Sequence, residues 1–131
     1  MKQHRSFDYT APDPTEEGPS FDLAGEHFRC VAVAPVGVLA AFLDGIIYDE
    51  QGKQLFRTPV LIQFVEGVLI DRVWVPETTD EEGVTPGRFD PADDADRWRA
   101  LVMAKDNAFP AEMLGEVVLW LANIYLERPT N

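Results

Sequence analysis

The residue types that carry most enzyme chemistry are scarce in this chain. Its 131 residues include one cysteine, two histidines and two serines, Ser6 and Ser20. A lone cysteine excludes an internal disulfide and a cysteine-rich zinc site. No Ser-His-Asp or Cys-His arrangement suited to nucleophilic catalysis can be drawn, and the glycines form neither a dinucleotide fingerprint nor a phosphate loop. Positive charge is also short: 11 Lys and Arg face 23 Asp and Glu, for a net charge of −12. Phosphate backbones and anionic membrane surfaces are therefore repelled, and direct nucleic-acid binding is not expected. No apolar run reaches the roughly 18 to 20 residues that span a bilayer. Met1-Lys2-Gln3-His4-Arg5 is basic but no apolar stretch follows in residues 6–19, so no secretory leader is read and the cytoplasm is the expected compartment.

What the chain does have is enough apolar material for one core. With 46% hydrophobic residues over this length, a single domain of residues 20–131 is predicted behind a disordered N-terminal arm of residues 1–19, which is rich in Pro, Gly and carboxylates and has only Phe7 and Tyr9 as large apolar groups. From Phe21 the period is two. Phe21 and Leu23, then Phe28, Cys30 and Ala32, alternate with polar neighbours around Ala24-Gly25-Glu26, which reads as a β-hairpin. Two strands are marginal alone, so its apolar side must lie on helices. Four are predicted, over 35–48, 59–72, 92–104 and 111–127. Pro35 suits a first helical turn, and Thr58-Pro59 and Asp90-Pro91 each read as a cap followed by a proline. The fold class is thus α+β, predominantly helical, with the N-terminal β-hairpin packed on about four helices.

The helix of residues 35–48 is apolar nearly all round. Such a helix is either buried or covered by another chain, and Leu39, Phe42, Leu43 and Ile46 are the candidate partner-binding residues. Self-association is left open. Beyond Ile70, Asp71-Arg72-Val73-Trp74-Val75 reads either as more helix or as a strand with Val73 and Val75 on one side, with Trp74 anchored on the core in both cases. The carboxylates of residues 77–96 lack the spacing of a calcium loop and suit a helix start and a solvated face, so no metal and no cofactor are expected. Cys30 is read as a small buried hydrophobe, and His27 as a surface residue.

In the last stretch Leu114, Val117, Val118, Leu121, Ile124 and Tyr125 recur at helical spacing around Trp120-Leu121 and stop at Arg128-Pro129-Thr130. This cadence resembles the end of the tail assembly chaperones of long-tailed phages, and the order of preceding motifs is similar too. A Gly-Glu hairpin, Phe21-Asp22-Leu23-Ala24-Gly25-Glu26-His27-Phe28, leads to a proline-started apolar helix at Ala34-Pro35-Val36 and later to an acidic-start helix, Asp94-Ala95-Asp96-Arg97-Trp98-Arg99-Ala100-Leu101. The acidic passage of residues 76–91 is longer than that pattern. The resemblance implies a chaperone with no enzymatic activity that binds the tape measure protein, and tail tube subunits, in the host cytoplasm and leaves before the virion is complete. It further implies the short product of a gene read with a ribosomal frameshift. Two other readings stand beside it: a structural head-tail or tail adaptor retained in the virion, and an acidic inhibitor that mimics DNA.

Overall fold

In the computed structural model, which describes residues 3–10, 16, 18–105 and 109–126, the chain enters its fold through a tight hairpin. Strand β1 (Ser20–Leu23) pairs antiparallel with β2 (Glu26–Arg29), Phe21 opposite Phe28 and Leu23 opposite Glu26. The two-residue turn puts both Ala24 (φ 52°) and Gly25 (φ 81°) in the left-handed region, which matches the twist of the strands but crowds the alanine Cβ. Ala24→Asn places a residue that tolerates this conformation. We expect a gain of about 1 kcal/mol, read as a rise of roughly 4–8 °C in Tm by thermal denaturation; an unchanged or lower Tm would mean the turn is not strained. Before β1, Gly18 lies against the backbone of Cys30 and Val31, where any Cβ would collide, and the Pro19 carbonyl accepts a hydrogen bond from Cys30 N at 2.8 Å. The predicted arm thus meets the fold at Gly18. Residues 3–10 have no regular structure and are exposed, and 1–2, 11–15 and 17 lie outside the described residues.

Four helices are present among the described residues, with corrected bounds. Helix α1 (Val36–Asp44) is shorter than predicted: Gly45 ends it, and Ile46, Ile47 and Tyr48 form strand β3 (Ile46–Tyr48), paired with β4 (Gln54–Phe56). The β-branched isoleucines suit a strand, and Asp49 closes the loop by accepting from Gln51 N and Lys53 N, both at 2.9 Å. Helix α2 (Thr58–Val68) is capped by the backbone of Arg57, not by the Thr58 hydroxyl, and has proline in its first turn. It ends where Cys30 bridges Leu69, and the next residues become β5 (Arg72–Val75) with Val73 and Val75 half-buried on one side, so the strand alternative holds. Asp90-Pro91 starts no helix; it closes strand β8 (Arg88–Pro91). Helix α3 (Asp94–Met103) begins after Asp93, and α4 (Ala111–Leu126) follows the predicted course, with residues 127–131, including Arg128-Pro129-Thr130, outside the described residues.

The largest departure is the acidic passage. Strand β5 pairs with β8, and β6 (Thr78–Asp80) with β7 (Gly83–Thr85), in one register: Val75 faces Arg88, residues 76–77 face 86–87, and Thr78 faces Thr85. Pro76 and Pro86 interrupt the ladder because neither has an N–H to donate. The result is a two-stranded ribbon whose outer half is exposed throughout. Four antiparallel strand pairs are therefore present among the described residues, where the sequence predicts one hairpin. Trp74 is not anchored on the core: it stands on the ribbon, edge-on to Phe89 at 4.9 Å, with Arg72 over the opposite ring.

The core lies between the first hairpin and the helices. Phe28, Phe64, Val65, Val68, Trp98 and Leu121 are fully or almost fully buried, and α2 is the central helix, touching α1, α3 and α4. Helices α1 and α2 approach closely because Gly45 lies on Val60 and Gly67 on Val38, positions where a Cβ would meet the valine methyls at 2.7 Å. Helix α4 contributes Leu114, Val118, Leu121 and Ala122. Trp120, next to the buried Leu121 in the Trp-Leu pair, is 44% exposed on the opposite side. Trp98 is the buried tryptophan.

Candidate functional site

The most tightly bonded polar group is Asp94, which has no solvent exposure. One carboxylate oxygen accepts from Arg29 Nη2 at 2.6 Å; the other accepts from the Arg29 backbone N–H at 2.9 Å and from Nε at 3.3 Å. Arg97, one turn further on, reaches the same carboxylate at 3.4 Å. It also bonds Glu26, the His27 carbonyl and Asp93 while lying over the Phe28 ring. Burial acts to raise the Asp94 pKa, but the Arg29 hydrogen bonds and the charges of Arg29 and Arg97 outweigh it and hold the carboxyl below its ordinary range. Every acceptor oxygen is thus committed to fixing α3 on the hairpin, and this arrangement is a clamp with no room for a substrate. Local reading placed Asp94 at a helix start and missed the pairing with Arg29.

The groups with chemical potential are similarly occupied. Burial pushes the Cys30 thiol up to about 12, which removes the thiolate a nucleophile or metal ligand needs. His27 is exposed, as predicted, and bonds Asp22 at 2.7 Å. An open cleft of about 350 Å³ between β2 and β5 gathers His27, Arg29 and Arg72, yet Arg29 is held by Asp94, His27 by Asp22, and Arg72 lies on Phe89. Among the described residues no three His, Cys, Asp or Glu side chains gather as metal ligands, and no helix is long and apolar enough to cross a membrane.

The remaining surface of interest is apolar. Of the four candidate partner-binding residues, Phe42 is absorbed by the core, stacked on Phe56 at 4.9 Å and against Phe64 at 4.4 Å. Leu39 is half-buried against the same cluster, and Ile46 is half-buried in β3. Leu43 is 46% exposed. The outward stripe of α1 is instead Val36, Ala40 and Leu43, at i, i+4 and i+7, with Val36 84% exposed. Ile47 and Leu55, paired across β3 and β4, and Tyr48 add exposed apolar groups nearby in the chain. The sequence signal was present, since 36, 40 and 43 share a helical face, but an all-apolar helix does not disclose which face turns inward.

No family model matches the chain, and neither a curated protein nor a solved structure is significantly similar to it.

Proposed function

We propose that this chain is a noncatalytic tail assembly chaperone that holds apolar helical segments of the tape measure protein, and of tail tube subunits, while a phage tail grows. The observation that supports it best is the uncovered apolar surface of α1 and the β3–β4 hairpin, where Val36, Leu43, Ile47, Tyr48 and Leu55 are exposed on a small acidic protein. Large exposed apolar groups favour a partner, and a net charge far from zero keeps a loaded complex in solution. The ordered resemblance of the motifs supplies the identity of the client. Committed polar groups and a suppressed thiol agree with binding in place of chemistry.

Co-expression with an insoluble tape measure fragment from the same genome tests the reading. The wild-type chain should keep the fragment soluble at about 0.5 M salt, where screening has reduced the Debye length to a few ångströms and apolar burial remains. Val36→Asp with Leu43→Asp should abolish rescue while leaving Tm within a few degrees, since both side chains face solvent. A fragment that stays insoluble, or this chain found in mature virions at fixed stoichiometry, overturns the chaperone reading; the second result favours a structural adaptor.

A further inference from the structure

Helix α4 carries a second, partly exposed apolar strip, separate from α1, with Val117 at its inner edge against the core. Met113, Val117, Trp120 and Ile124 follow i, i+4, i+7 and i+11 spacing along one shoulder of the helix, and each retains solvent exposure, Met113 and Trp120 most of all. On the core side the strip is bounded by Leu114 and Leu121, which are buried. On the outer side run Glu112, Glu116 and Asn123, all exposed. Glu112 and Glu116 have no ion-pair partner among the described residues, and α4 has no Lys or Arg in its sixteen residues. The strip spans twelve residues, about 16 Å, or three helical turns.

We propose that this shoulder of α4 is a docking surface for a cationic amphipathic helix, with the partner's apolar stripe on Met113, Val117, Trp120 and Ile124 and its Lys or Arg flank against Glu112 and Glu116. The charge pattern selects this occupant. A partner helix lying along the strip brings one flank over two unpaired carboxylates, which attract a basic flank and repel an acidic one. A second copy of this chain is disfavoured because its own α4 has no Lys or Arg to set against these carboxylates. A tryptophan at the middle of the strip supplies the large, low-entropy anchor that dominates helix-in-groove binding. This surface is independent of the α1 face and of the client assigned to it.

The probe is an 18-residue Leu/Lys amphipathic helical peptide, titrated into the full chain carrying Trp74→Phe. The remaining tryptophans are then Trp98, which is fully buried, and Trp120, which reports the strip. Saturable binding with a blue shift of Trp120 emission is expected. Glu112→Lys with Glu116→Lys should weaken it at least tenfold, whereas Glu81→Lys with Glu82→Lys, the same change in net charge on the ribbon turn, should change it less than twofold. The same peptide with Glu for every Lys should not bind. Equal loss from both charge-reversed pairs would mean nonspecific attraction to an acidic protein and would overturn the proposal. So would binding of the Leu/Glu peptide, or the absence of any saturable shift.

Discussion

Trp98→Ala will cost about 3–5 kcal/mol, a large part of the roughly 5–15 kcal/mol that holds an ordinary domain. The indole is fully buried at the point where separate elements meet. It sits on α3, edge-on to Phe28 at 5.6 Å and to Phe21 at 6.3 Å in the hairpin, and faces Phe109 before α4 at 6.4 Å. Its Nε1 donates to the Ile62 carbonyl of α2 at 3.3 Å. Alanine would leave a cavity that a hairpin, two helices and a linker would all have to close together, and such sites collapse poorly. Trp98→Phe separates packing from the hydrogen bond: it keeps most of the ring but leaves a carbonyl without its donor, at a cost of about 1–2 kcal/mol. Trp120→Ala, on the exposed side of α4, should cost only about 1 kcal/mol. Urea unfolding of the three variants gives the order directly, and a Trp120→Ala loss as large as that of Trp98→Ala would reverse the assignment of core and surface.

That contrast between two tryptophans marks where the sequence was legible. The first hairpin could be read because its period of two is interrupted by a glycine at the turn, and both signals are local. The buried face of α4 could be read because Leu114, Val118 and Leu121 repeat over a sixteen-residue helix. The Trp-Leu motif drew attention to Trp120, yet helical geometry sets Trp120 about 100° from its buried neighbour Leu121, and only the packing of α4 on α2 fixes which is inside. The ribbon was hidden for a different reason. Prolines at 76 and 86 read as loop punctuation, and the pairing that makes a strand of residues 72–75 comes from Arg88–Pro91, more than a dozen residues on. Helix α1 was overextended because Ile46 and Ile47 continue its apolar stripe, while the cross-strand partners Phe56 and Leu55 lie beyond the local window. Of the four candidate interface residues, Phe42 lies in the core, Leu39 and Ile46 are half-buried and Leu43 is exposed, because a helix apolar nearly all round does not disclose from its period which face turns inward.

Asp94 was the least visible of these, and its removal carries the second large effect. An aspartate in the first turn of a helix satisfies a local rule by favouring the positive end of the dipole, so nothing nearby asks for a further explanation. Its actual partner, Arg29, is 65 residues away. Removing the carboxylate strands the Arg29 backbone N–H and guanidinium at once. Because the Arg29 side chain is 42% exposed and its freed charge can reach water, the loss should fall near the lower end of the range for broken buried pairs, about 3 kcal/mol for Asp94→Ala. The pH dependence follows from the direction of the shift. The carboxyl is held below its ordinary range in the folded state, so above the unfolded value of about 4 the clamp contributes its full stability, and as pH falls through the lower folded value that contribution disappears. In the window between, the unfolded chain binds a proton that the folded chain refuses, which makes stability rise with pH. Asp94→Asn cannot ionise and lacks this dependence. Urea unfolding at pH 7, 5 and 3.5 should therefore show a constant gap between wild type and Asp94→Asn at the first two values and a narrower gap at the third. A gap that persists unchanged at pH 3.5 would mean that the carboxylate's shape, and not its charge, holds the hairpin on α3.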